Sequence, residues 1–256
     1  MKALTLAFQD DPRFAELKKH RDESGGIHHV WGMDRRITPL LMEALSDTKR
    51  FRLIVTYEER RAREIVEDYR FYSRQTFYYP AKDALFYSAD IHSNNTVQER
   101  LEIFKKIAEG RPCTVVTTIE GLMDKIPSIS HIIENILTIK VGDTLQLDTF
   151  SRKLTTLGYE KTSIVETPGQ FSVRGGIIDI FSLTEECPYR VELWGDDIDS
   201  IRSFDVESQR SMERVEEFVI YPSTEMVLDD VRISKGIAKL SKEHKAQAKL
   251  LKEQFH

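Results

Sequence analysis

Apolar residues along this chain follow two rhythms. Phe51 to Tyr57, Thr76 to Tyr79 and Cys113 to Thr118 are short, nearly continuous apolar and β-branched runs. Between them, Ala62, Ile65, Val66 and Tyr69 recur at helical spacing, as do Val97, Leu101, Phe104, Ile107 and Ala108. The runs predict strands, and the spaced positions predict helices over 58–71 and 96–108. Ahead of them the pattern predicts a short helix over 12–20, a strand over Ile27–Trp31 ending at Gly32, and a helix over 38–45. A short helix over 119–124 follows the third run. Continuous strands alternating with helices predict an α/β domain over 1–127, with a parallel sheet covered on both faces.

After Pro127 the rhythm changes. A strand is expected over 136–141, and a helix over 147–157 closed by a left-handed Gly158. Another strand is expected over 162–166. Thr167-Pro168-Gly169-Gln170 has the residues of a type II turn. Phe171 to Phe181 reads as strand with Gly175-Gly176 inside it, as a bulge or a place of close approach. Tyr189 to Trp194 and Ile198 to Phe204 flank Gly195-Asp196-Asp197 as a strand pair. This predicts a small α+β domain over 128–211 inserted in the α/β domain. Residues 212–256 are then a return segment and a basic helix, with Ile237, Leu240, His244, Ala248, Leu251 and Phe255 on one stripe.

Composition narrows the function classes. The 256 residues allow one or two domains. With 31% charged residues and a mean hydropathy of −0.40, neither a membrane protein nor a low-complexity chain is expected. The net charge of −5 argues against a duplex-wrapping protein. That total hides an asymmetry: residues 185–230 hold fourteen acids against four arginines and no lysine, whereas 234–256 hold six lysines against two acids. Cys113 and Cys187 lack metal-ligand spacing. Cys113 reads as a buried thiol, and two lone thiols fit a reducing cytoplasm.

Candidate chemistry is sparse. The turn after Ile27–Trp31 is where an α/β nucleotide-binding protein places its phosphate loop. It reads Gly32-Met33-Asp34-Arg35-Arg36-Ile37-Thr38-Pro39, with no second Gly and no Gly-Lys-Ser/Thr. The segment therefore reads as a strand–turn–helix junction with solvated charges, and Gly32, Arg35 and Arg36 are not expected to bind a phosphate. His28 and His29 alternate across a strand, so they do not share a metal. Asp196, Asp197 and Asp199 form an acidic tip without an EF-hand pattern. The aromatics Phe71-Tyr72 and Phe77-Tyr78-Tyr79 read as core, and no catalytic residue or metal site stands out.

The most specific stretch runs from Thr167 to Phe181 and holds Arg174 before Gly175-Gly176. It continues through Pro188-Tyr189-Arg190-Val191-Glu192-Leu193-Trp194-Gly195-Asp196-Asp197 to Ser208-Gln209-Arg210-Ser211. It resembles the second domain of the UvrB family and of the transcription-repair coupling factors. The lost phosphate loop and the short segment 79–87 resemble the coupling factors' N-terminal UvrB-like module more than UvrB itself. The resemblance implies a degenerate helicase-like fold and a non-catalytic adaptor that binds the excision-repair protein UvrA. It implies UvrA contacts at Arg174 and Lys161, with Phe171 as a neighbouring one; Ser172 stands where UvrB has a further Arg. It also implies that this is the leading part of a longer bacterial protein. ATP and Mg, RNA polymerase and double-stranded DNA would belong to that whole, in which this face is open to masking. The alternative is an ATP-dependent, UvrB/helicase-like DNA-binding protein.

Overall fold

The computed structural model describes residues 8, 10–24, 26–46, 50–82, 91–228 and 230–243. The chain divides into two compact units, Met1–Lys125 and Ile126–His256.

The first unit holds helices α1 (Pro12–Ser24), α2 (Thr38–Leu45), α3 (Glu59–Arg70), α4 (Ile91–Ala108) and α5 (Ile119–Met123). Its strands β1 (Arg52–Thr56), β2 (Thr76–Tyr79) and β3 (Thr114–Thr118) form a parallel sheet in the order β1-β3-β2. Leu53, Val115 and Phe77 share one register row, and Val55, Thr117 and Tyr79 another. On one face Ala62, Val66, Tyr78 and Val116 are buried together, with Ile54 and Ile65 against them. On the other, α4 meets β2 through an edge-on contact of Tyr79 and Phe104. That second face stays open at β1, where Leu53 is 57% exposed. The sheet is therefore not covered on both faces.

A second expectation also fails. Residues 27–31 form no strand, and Ile27 and Trp31 lie in solvent. Five apolar or aromatic residues in a row satisfy a strand pattern, but pairing requires a neighbour, and none of the described strands takes them up.

Buried polar struts hold this unit. Arg100 is fully buried and donates from Nη1 to the Pro80 carbonyl (2.7 Å) and to Asp124 Oδ2 (2.8 Å). Its guanidinium lies 4.1 Å from the centroid of the Tyr79 ring. Glu43 Oε2 accepts from Arg52 Nη1 and from the Tyr69 hydroxyl, each at 2.8 Å, which ties α2 to β1 and α3. Burial, and then this carboxylate, push the Tyr69 hydroxyl above its ordinary pKa. Cys113 is fully buried, and burial raises its thiol.

The second unit holds helices α6 (Ile129–Glu134), α7 (Leu147–Thr156) and α8 (Asp230–Glu243). Its strands are β4 (Leu137–Lys140), β5 (Glu160–Lys161), β6 (Gln170–Arg174), β7 (Ile177–Ile180), β8 (Tyr189–Trp194), β9 (Asp197–Phe204), β10 (Ser211–Val215) and β11 (Glu217–Ile220). Six of them form one sheet in the order β10-β9-β8-β7-β6-β5, antiparallel except for the β5–β6 pair. β4 and β11 form a separate antiparallel pair. Residues 212–220, expected as the start of a return segment, pair within this unit. The expected strand over 162–166 is absent; the paired residues are Glu160 and Lys161, just before it.

Alternation along the strands builds the core. Phe171, Ile178, Ile180, Val191 and Ile201 are fully buried on one face, together with Leu154 and Leu157 from α7 and its end. Gly158 takes φ +89°, and a Cβ there would come within 2.8 Å of Thr224. Gly175-Gly176 is not a bulge within one strand. It is the two-residue turn between β6 and β7, with Arg174 paired to Ile177 and Gly175 at φ +61°. A positive φ at the first turn residue is the type II′ pattern that a Gly permits.

Candidate protein-docking face

The face of the six-stranded sheet away from that core is built by the opposite parity of the same strands. Ser172, Asp179, Arg190, Arg202 and Arg214 lie in one register row across β6, β7, β8, β9 and β10. Arg174, Ile177, Glu192 and Ser200 form the next row. Like charges placed directly opposite each other on a sheet are unfavourable. A column of three arginines is therefore a cost that packing alone does not explain.

One carboxylate organises the column's inner end. Asp179 is fully buried. It accepts from Arg190 Nε on Oδ1 (2.7 Å) and from Arg190 Nη2 on Oδ2 (2.9 Å). It also accepts from Arg174 Nη2 on Oδ2 (2.6 Å). Arg190 Nη1 donates to the Gln209 carbonyl (3.1 Å), and its guanidinium lies 4.6 Å from the Phe204 ring centroid. Hydrogen bonds to Asp179 hold Arg190 above its ordinary pKa. Every nitrogen of Arg190 is thus committed within the protein. Arg174 donates one bond, and its side chain is 45% exposed. Arg174 is thus the guanidinium of this cluster that reaches solvent.

Beside Arg174 stands Trp194, 85% exposed at the end of β8. β6 and β8 run in the same direction, so the 175–176 and 195–196 turns lie at the same end of the sheet. Leu193, which packs on the core, donates from its backbone N–H to the Gly176 carbonyl at 2.8 Å. A Cβ on Gly176 would sit 3.0 Å from the Leu193 carbonyl oxygen. Trp194, of opposite parity to Leu193, therefore shares the Arg174 face. Trp and Arg are, with Tyr, the side chains enriched at the energetic centres of protein interfaces.

With that face described, the comparisons place the chain. Residues 137–226 match the family model of the UvrB interaction domain, and they contain every residue of the docking face. The chain matches the UvrB-like N-terminal module of the transcription-repair-coupling factors. It is 29% identical over 232 residues to the transcription-repair-coupling factor of Staphylococcus aureus (strain bovine RF122 / ET3-1), covering 90% of this chain and 20% of the relative. Against that of strain USA300 the figures are 30% over 236 residues, 91% and 20%. Against that of Bacillus subtilis (strain 168) they are 28% over 209 residues, 81% and 18%. The chain spans about a fifth of the length of these relatives.

The expected UvrB-type contacts divide three ways. Arg174 is on the surface and charged, as a contact must be. Lys161 is exposed on the two-residue edge strand, but its register partner is Phe171, so it has the parity of the core face and does not stand with Arg174. Phe171 has no exposed surface at all and is a core residue, which corrects its expected role as a contact. Trp194 and the Arg202–Arg214 column were not singled out from the sequence. The alternation Val191, Leu193 against Glu192, Trp194 was the available signal, since it puts the Trp opposite two core residues.

The turn over 32–39 closes on Asp34. Asp34 Oδ1 accepts from the Arg36 N–H at 2.8 Å, and the Asp34 carbonyl accepts from the N–H groups of Ile37 and Thr38. Three N–H groups of the turn are thus already bonded, one to the Asp34 carboxylate and two to its backbone carbonyl. Gly32, Arg35 and Arg36 are exposed. A cleft of about 680 Å³ does open at the carboxyl ends of β1, β2 and β3, lined among others by Tyr57, Glu59, Arg63, Tyr78, Lys82 and Glu120. Open parallel sheets often take ligands at this end. Here burial, followed by the charges of Glu59, Glu99 and Glu120, pushes the Tyr78 hydroxyl up to about 12 against the opposing Arg63. Among the described residues no group of His, Cys, Asp and Glu is placed to hold a metal, and no helix is long and apolar enough to cross a membrane.

Proposed function

We propose that this chain is a non-catalytic adaptor that docks UvrA through the Arg174–Trp194 face, within a protein coupling transcription to excision repair. The observation that carries the reading is the Arg174 guanidinium, held by buried Asp179 and facing solvent beside an exposed Trp. The first unit is then a helicase-like sheet whose phosphate loop has been replaced by an Asp34-capped turn. Contacts with RNA polymerase and double-stranded DNA, and ATP-dependent translocation with Mg, belong in this reading to other parts of a longer protein.

The test is titration of UvrA with this chain and its Arg174→Ala variant. Truncating a central charged contact costs about 2–4 kcal/mol of binding. Equal affinity of the two proteins would remove Arg174 from the interface. A parallel titration with ATP and Mg should give no heat. Measurable nucleotide affinity would favour the helicase-like enzyme instead.

A further inference from the structure

We infer that Asp179 is a positioning residue for UvrA capture: it anchors Arg174 by a single nitrogen and leaves the rest of that guanidinium free to receive a partner's carboxylate. The inference rests on the docking-face reading above and adds the device that arms it. Arg174 sits on the last residue of β6, beside a flexible glycine turn, and its four-bond side chain would otherwise lose substantial rotamer freedom on binding. The 2.6 Å bond from Nη2 to Asp179 Oδ2 removes much of that freedom beforehand. A guanidinium has five N–H donors, and among the described residues Arg174 uses one. The second N–H of its Nη2 remains, together with Nη1 or Nε, for the two-bond recognition that Arg gives a carboxylate.

Asp179 can act this way because its own position is fixed. It lies at a central strand position, in register with Arg190, whose guanidinium grips both carboxylate oxygens and is itself locked by the Gln209 carbonyl and the Phe204 ring. Arg190 is the clamp, Asp179 the relay and Arg174 the presented group. Ser172, opposite Asp179 on the same face, is buried with an Oγ that has no partner, so it neither competes for the carboxylate nor replaces it.

The experiment is a double-mutant cycle on UvrA affinity with the chain, Asp179→Asn, Arg174→Ala and the double variant. Asp179→Asn should weaken binding about tenfold. In the Arg174→Ala background it should cost less than twofold further, since the group it positions is gone. An equal loss in both backgrounds would show a merely structural role and overturn the inference, as would wild-type affinity of Asp179→Asn. Because Asp179 is buried, a second readout uses the unmutated chain. Arginine-selective NMR should show hindered guanidinium rotation for Arg174, slower than for the exposed Arg210. Rotation as free as that of Arg210 would also overturn it. Failure of the unmutated chain to bind UvrA would sink the docking reading while leaving the NMR result standing, so the two failures are distinguishable.

Discussion

In the parallel sheet of the first unit, arginines point inward and act as struts. Arg100 is sealed between the Pro80 carbonyl, Asp124 and the Tyr79 ring, and Arg52 joins Glu43 beside Tyr69. Apolar residues are left outside at β1. In the antiparallel sheet of the second unit the arrangement is reversed. Apolar residues fill one face to full burial, and the other carries a row of arginines beside one buried carboxylate, with a Trp in solvent. Cations satisfied internally describe how a unit holds together. An arginine held at the surface by one buried carboxylate is a group prepared for a partner, and that contrast sets the second unit apart.

The largest expected effect separates the two faces of a single strand. Phe171→Ala removes a fully buried ring and should cost about 3–5 kcal/mol of stability. Arg174, three residues on, should lose binding on truncation while the urea midpoint moves little. Comparable destabilisation by both variants would mean that the Arg face is structural after all. Next in size, Asp124→Ala withdraws one anchor from buried Arg100 and should cost about 2 kcal/mol, as loss of a hydrogen bond to a charged group does. That loss should appear in the unfolding of the first unit and leave UvrA affinity intact, as hydrogen exchange by unit would show.

Trp194→Ala tests the docking face without touching its ion pairs. Little of the indole is buried, so stability should change by less than about 0.5 kcal/mol. Binding should weaken by about 2 kcal/mol if the Trp is an anchor. Arg202→Gln should act in the opposite sense on stability. Removing the middle of a like-charge column should add about 0.5 kcal/mol, with a slower UvrA association that is most evident at low salt. A stability loss would show that the column is paired in a way its register does not suggest.

Much of this contrast was legible in the sequence. The helix over 59–70 buries the predicted Ala62, Val66 and Tyr69, because 3.6-residue spacing depends on local geometry alone. Gly158 is left-handed as its place after an amphipathic helix required. Period-2 alternation was equally informative, but it was read for strand existence and not for faces. Phe171 was placed at the docking face although its parity with Val173 puts it in the core, and Trp194 was passed over although its parity puts it outside. The strand expected at 27–31 failed because apolar content is only a permission to pair. The β10 strand is not legible because Ser211 to Val215 is almost wholly exposed and shows no alternation. The Asp179 clamp joins residues five and eleven positions apart through three adjacent strands, and only the register brings them together.

The smallest effect lies in the turn that backs Arg190. Gln209 offers Arg190 its third anchor from a φ of +58°, the one non-glycine positive φ among the described residues. That geometry is closed by Asp205, whose carbonyl accepts from the Gln209 N–H (2.8 Å) and whose carboxylate accepts from the Ser208 hydroxyl (2.6 Å) and N–H (2.8 Å). The Ser208 hydroxyl, and then its N–H, hold the Asp205 carboxyl below the usual carboxylate range. A depressed folded-state pKa stabilises the fold above the unfolded value and loses that contribution as pH falls through the folded one, so the window lies below about pH 4. Ser208→Ala should move the Asp205 carbon-detected NMR titration up toward the ordinary value. The stability difference between Ser208→Ala and the unmutated chain should shrink as the pH is lowered through that window. At neutral pH the variant should bind UvrA within about twofold of the unmutated chain, because Asp179 still grips Arg190 by two bonds. A loss as large as that of Arg174→Ala would mean that the turn, and not the buried carboxylate, sets the arginine face.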